Sequence, residues 1–134
     1  MSDRRIVNPG WKYFEKTTFV PAIAARGEIL FTSGLNATDD DGVLQAPGDV
    51  AGQTRVIFQK LQAILEAAGG SLADVVKTTD YIVSREKYRA TAGVRREFFG
   101  DDFPTATGVV VKELLGRGVL IEIDAVAVLP TRDS

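Results

Sequence analysis

Two periodicities divide the chain. Between positions 49 and 68, apolar residues recur at Ile57, Leu61, Ile64, Leu65 and Ala68, the i, i+4, i+7, i+8 spacing of one buried helical face. Asp49 stands where an N-cap belongs, and Gly69-Gly70 supplies the left-handed stop. A second helical stripe, Tyr88, Ala92, Arg95 and Phe99, predicts a helix from a Ser84 cap to about Phe99, with Gly100 after it. Elsewhere the period is 2 or the run is continuously apolar. Strands are expected over 4–7, 19–25, 28–33, 75–83 (VVKTTDYIV), 104–112 and 119–129. Arg26-Gly27 between the second and third reads as a hairpin turn. Asn8-Pro9-Gly10 reads as a turn, followed by a long loop lined by Trp11, Tyr13, Phe14 and Phe19.

The order β-β-β-α-β-α-β-β predicts an α+β fold with both helices on one face of a sheet. The segments 109–111 and 119–129 are apolar toward both faces, as strands covered on both sides are. Two helices cover only one face. Another copy of the chain is the simplest cover for the other, so a closed homo-oligomer is expected.

Into that last apolar run, VLIEIDAVAVLP, fall two carboxylates, Glu122 and Asp124. Two positions apart on a strand they share a face, about 6.7 Å from each other. At an effective dielectric of about 20 two such charges repel by about 2.5 kcal/mol, or about two pKa units. If sheltered, one of them becomes a group able to give or take a proton near neutral pH. Two other readings stay open: both acids at an exposed strand edge, or both paired with cations across a subunit interface.

Composition narrows the chemistry. The 134 residues suggest one domain, 1–134, with 45% hydrophobic and 25% charged residues, the balance of a soluble globular protein. There is no cysteine and no histidine, so thiolate chemistry, zinc-thiolate sites and the usual general base are excluded. The net charge of -2 offers no pull toward nucleic acid. No stretch reaches the ~18–20 apolar residues of a membrane span, and the N-terminal residues carry charge without an apolar run behind them. A cytoplasmic location without membrane or nucleic-acid partners is expected. The acidic turn at 36–42 (NATDDDG) lacks the spaced ligands and distal Glu of a calcium loop, so no metal is expected.

Several segments, in order, resemble the RidA (YjgF) family of small enamine/imine deaminases: LFTSG at 30–34, Gln53-Thr54-Arg55 within 49–61, LEAAGG at 65–70, DVVKTT at 74–79, Phe98-Phe99, Phe103-Pro104 and IEIDAVA at 121–127. The resemblance runs from about Phe19 to Val128. It implies a chorismate-mutase-like α+β fold with a mixed sheet and two helices on one face. It also implies a homotrimer with clefts between subunits, a small-molecule substrate and no cofactor. Phe19–Gly34 and the helix beginning at Asp49 look most like the branch acting on aminoacrylate.

Carried over residue by residue, the resemblance makes Glu122 the acid/base that activates water against an imine carbon. The backbone at Ser33 and Gly34 would line the same cleft. The family's carboxylate-clamping arginine would stand two residues after Phe103-Pro104, and Ala106 is there instead. A cleft tyrosine is replaced near Val20, and an asparagine by Ala92. With Ala106, Thr107 and Gly108 all small, the pocket is roomier. Together with Phe19 and its aromatic neighbours it would suit a larger ligand. Arg117, in a glycine-flanked loop, is the preferred substitute clamp over Lys112 or Arg26, though it reads more simply as an exposed turn residue. The expected function is therefore a cofactor-free hydrolase, deaminating an imine or enamine other than the usual 2-imino acid. A non-catalytic, metabolite-binding regulatory trimer is the alternative. Ribonuclease activity is a poorer third, because the chain has no basic stripe.

Overall fold

The computed structural model describes residues 3–131, so the first two and last three residues of the expected 1–134 domain lie outside it. Six strands and three helices run in the order β1 (Asp3–Ile6), β2 (Ile23–Arg26), β3 (Ile29–Phe31), α1 (Val50–Ala67), β4 (Val75–Ile82), α2 (Arg85–Tyr88), α3 (Thr91–Phe99), β5 (Thr105–Val110) and β6 (Ile121–Val128). The main sheet is mixed, in the order β3-β6-β4-β5. Only β4 and β5 run parallel.

The first helix forms for the reasons its sequence states. Asp49 Oδ1 accepts from Gly52 N at 3.0 Å. Gly70 N returns to Leu65 O at 2.8 Å, and Gly69 takes φ +86°, the left-handed stop. Ile57, Phe58, Leu61 and Leu65 are buried against Val75, Ile82, Ile121, Ile123 and Ala125 of the central strands and against Val94 and Phe99 of α3. Truncating any one of these large aliphatic side chains to alanine costs about 2–5 kcal/mol.

Two expectations are corrected. The turn at Arg26-Gly27 joins no hairpin: β2 pairs with β1 in a separate two-stranded ribbon, while β3 pairs with β6. Gly27 has φ +141°, and a Cβ there would lie 2.9 Å from Val128 Cγ1. It permits close passage over the end of β6. The helix expected over 84–99 is also broken. Ser84 caps it as foreseen, accepting from Lys87 N, but the Thr91 hydroxyl donates to Tyr88 O at 2.7 Å and the chain restarts as α3. The aromatic loop contains a short 3-10 turn, Lys12–Lys16.

The helices cover one face of the sheet. There lie Thr78, Asp80 and Ile82 of β4, with Ile121, Ile123, Ala125 and Ala127 of β6, all buried. The opposite face carries Lys77, Thr79 and Tyr81, then Glu122, Asp124 and Val126, then Ile29 and Phe31. In the protomer this face is less apolar than the sequence pattern suggested. Phe31 nevertheless stands 74% exposed on it, and Val109 and Val110 of the edge strand are exposed too.

Candidate active site

Glu122 sits on β6 opposite Tyr81, on the face away from the helices. What shapes its surroundings is an irregularity in the neighbouring chain. Thr32 N donates to Ala125 O, and Leu35 and Ile123 exchange both backbone bonds, at 2.8 and 3.0 Å. Between those two points β6 has one residue, Asp124, while the segment following β3 has two, Ser33 and Gly34. Such a two-against-one bulge bends its strand and re-aims the groups beside it. Here it brings the Gly34 backbone against the Glu122 carboxyl. A methyl at Gly34 would lie 2.9 Å from Glu122 Cδ and closer still to Oε2. A side chain at this position would make the carboxylate move from where it sits. The bulge is tied down from both sides, since the Thr32 hydroxyl accepts from Ala125 N and donates to Ser33 O.

Arg117 is brought to the same place by a different route. Val119 N closes a turn on Gly116 O, with Arg117 at its corner and Gly118 at φ +78°. Gln53, buried on α1, clamps this turn. Its side-chain amide donates to Gly118 O and its oxygen accepts from Leu120 N at 2.9 Å. Glu122, Arg117 and Glu113 then line one open cavity of ≈ 530 Å³ with Val83, Leu115 and Val119. Glu122 is half-buried and has no side-chain hydrogen bond among the described residues, so its carboxylate is available to a ligand.

Asp124, the second acid, is set apart by its neighbour. Its charge, ahead of burial, holds the Tyr81 phenol above its ordinary range, with Glu122 adding a smaller push. Tyr81 therefore keeps its proton beside two carboxylates. Asp124 forms no ion pair among the described residues.

The remaining predicted site residues divide. Thr107 lies on the Glu122 face, where it bonds Lys77 Nζ at 2.9 Å. Ala106 and Gly108 register with Thr78 and Asp80 and so belong to the helix-covered face. Glu122 and Ala106 are on opposite faces of one protomer's sheet. Phe19 packs edge-on against Phe14 in the N-terminal aromatic cluster and is not among the residues lining the Glu122 cavity. The acidic turn satisfies itself: Asp39 Oδ1 accepts from Asp41 N and Val43 N, each at 2.9 Å.

One group of polar residues escaped sequence reasoning. Asp80 and Arg95 are 0% and 2% exposed and form an ion pair within the helix-facing layer. Arg95 Nη2 also donates to Thr78 Oγ1, and the Tyr88 hydroxyl donates to Asp80 Oδ2 at 2.6 Å. Burial pushes the Tyr88 phenol far up from its usual range, and the Asp80 charge adds to it. The signal was present in the stripe Tyr88, Ala92, Arg95, Phe99, because an arginine on a buried helical face requires an anion.

A sheet of this order backed by helices, with an acid seated against a glycine bulge, defines a Rid-type protein. The family model described as Endoribonuclease L-PSP matches residues 14–129. A RutC family protein of Pyrococcus horikoshii is 39% identical over 101 residues, covering 75% of this chain and 79% of that protein. The Rid-family protein YyfB of Yersinia pestis, of unknown function, superposes with a TM-score of 0.87 at 30% identity, covering 95% of this chain and 99% of that one. TdcF of E. coli, solved with bound serine, gives a TM-score of 0.68 at 32% identity, covering 78% and 84%. The chain belongs to the RidA/YjgF family, and membership supports a small-molecule deaminase or metabolite-binding role. Among the described residues no helix is long and apolar enough to cross a membrane.

Proposed function

We propose that the chain is a cofactor-free hydrolase that deaminates an imine or enamine, with Glu122 as acid/base. The carrying observation is the Glu122 carboxylate, seated by Gly34 in a cavity that also holds Arg117. Water adds to the C=N carbon while Glu122 takes one of its protons. The same carboxyl then delivers that proton to nitrogen. The tetrahedral adduct collapses to a carbonyl and releases ammonia, so one water is consumed per imine. General acid–base assistance of this kind contributes roughly 10²–10⁴-fold. Arg117 offers a cation to an anionic substrate in the same cavity.

The complete cleft lies between protomers of a homotrimer. Glu122 and the 106–108 segment belong to one cleft only if two copies contribute, since Ala106 and Gly108 are on the other face from Glu122 in either copy. Exposed Phe31, Ile29 and Val109 give that contact apolar area. With Ala106 where an arginine would clamp short 2-imino acids, the substrate is a different imine. Bound serine in TdcF supports a cleft that takes small amino-acid-like metabolites. The family model's name points to RNA cleavage, against which stand the net charge of -2 and the absence of histidine.

Ammonia release from a panel of imines generated in situ tests the reading. The wild-type chain should turn over at least one of them, and Glu122→Gln should lose at least a hundredfold. Equal turnover by the two proteins would overturn the mechanism. Binding without any release would leave only a metabolite-binding role.

A further inference from the structure

The buried Asp80–Arg95 pair carries a large desolvation cost, and such pairs often return no net stability over apolar residues of the same volume. Its visible effect is to hold one phenol. Tyr88 commits its proton to Asp80, and its oxygen is left against Gly108, where an added Cβ would lie 3.1 Å from Oη. Tyr88 and Gly108 also line a cavity of ≈ 510 Å³ together with Ile82, Arg85, Val109 and Val110. The walls from Ile82, Val109 and Val110 are apolar, and Gly108 adds no side chain. Arg85 precedes Tyr88 by three residues on α2, so both side chains project to the same side. Arg85 is exposed and has neither an ion pair nor a hydrogen bond among the described residues.

We propose that this cavity is a ligand subsite for an amino or imino acid with a bulky apolar side chain. Arg85 takes the carboxylate, the Tyr88 oxygen accepts an N–H, and Ile82 and Val110, which share a face with Gly108, receive the apolar body. Asp80 and Arg95 are positioning residues that fix the phenol and never touch the ligand. The inference rests on the metabolite-cleft reading above and names the substrate class for it. It also moves the carboxylate clamp from position 106 to α2.

The test is calorimetric binding of three shape-matched probes to the full chain: L-phenylalanine, 3-phenylpropanoate, which lacks the nitrogen, and 2-phenylethylamine, which lacks the carboxylate. L-Phenylalanine should bind at least tenfold tighter than either analogue. Tyr88→Phe should erase its advantage over 3-phenylpropanoate and keep that over 2-phenylethylamine. Arg85→Gln should do the reverse. No preference in the wild-type chain, or an equal loss for all three probes in each variant, would overturn the subsite. Turnover is not read in this assay. A chain that binds in the expected pattern yet releases no ammonia from any imine keeps the subsite and loses the catalytic reading. One that deaminates short imines without preferring L-phenylalanine loses the subsite alone.

Discussion

Arg95→Met is the sharpest perturbation of this core. It keeps an unbranched apolar stem and removes the charged guanidinium, leaving Asp80 buried with only the Tyr88 hydroxyl as a hydrogen-bond donor. Removing one member of a buried ion pair costs about 3–5 kcal/mol. For 134 residues, at about 2.1 cal/mol/K each, the unfolding entropy is about 0.28 kcal/mol/K, so the Tm should fall by about 11–18 °C. The second half of the prediction concerns the pair itself. Asp80→Val combined with Arg95→Met removes both charges, and the double variant should lose less than the Arg95→Met single, because no unpaired charge stays buried even though the Tyr88 hydroxyl loses its acceptor. Thermal unfolding followed by circular dichroism suffices. Protein concentration must be held fixed, since assembly makes Tm concentration-dependent. A single variant that loses less than about 4 °C, or a double variant whose loss equals the sum of the two singles, would refute this account of the buried pair.

Three further outcomes are expected. Gly34→Ala should lower kcat at least tenfold with an unchanged Tm, because the new methyl displaces the Glu122 carboxyl; an active variant would dissociate the bulge from the chemistry. Tyr88 has its phenol pKa raised by folding, so its contribution is complete below about pH 10 and is lost as pH rises above that. The alkaline fall in Tm should therefore be shallower in Tyr88→Phe, and parallel curves would contradict this. Phe31→Asp should reduce the mass seen by sedimentation from a trimer toward a monomer, and a wild-type chain that sediments as a monomer would remove the composite cleft.

What the chain discloses of its fold is mostly what neighbouring residues decide among themselves. The Asp49 cap, the buried stripe of α1 and the Gly69 stop are all local, and each stands where periodicity and cap chemistry put it. The failures are non-local. A short strand followed by Arg26-Gly27 and another strand has the local form of a hairpin. The partner of β3 is instead β6, some 95 residues later, and no pattern near Gly27 carries that information. The break before α3 has no proline or glycine to announce it. A single threonine hydroxyl turned back on Tyr88 O makes it. The site divides in the same way. Glu122 and Gly34 are reachable from the ordered family segments, and Arg117 from its glycine-flanked loop between two strands. The face each occupies emerges only from register, and register separates Glu122 from Ala106.

Register also bears on the alanine. Ala106 lies beside Thr78, one strand spacing of about 4.8 Å away. Thr78 Oγ1 is itself bonded by Arg95. An arginine rooted at 106 would enter the face that already holds Arg95, and two like charges, if held about 6 Å apart at an effective dielectric of about 20, repel by about 2.8 kcal/mol. A small residue at 106 is therefore compatible with a buried Arg95 on the same face. Ala106→Arg alone should then lower the Tm and give no gain on short imino acids. The same substitution with Arg95→Met should be less destabilising than the two single losses added, because the incoming guanidinium finds Asp80 unpaired. A thermal-melt cycle of wild type, both singles and the double measures that coupling. A value below about 0.5 kcal/mol, the ordinary scatter between independent sites, would show that the two positions are indifferent to each other.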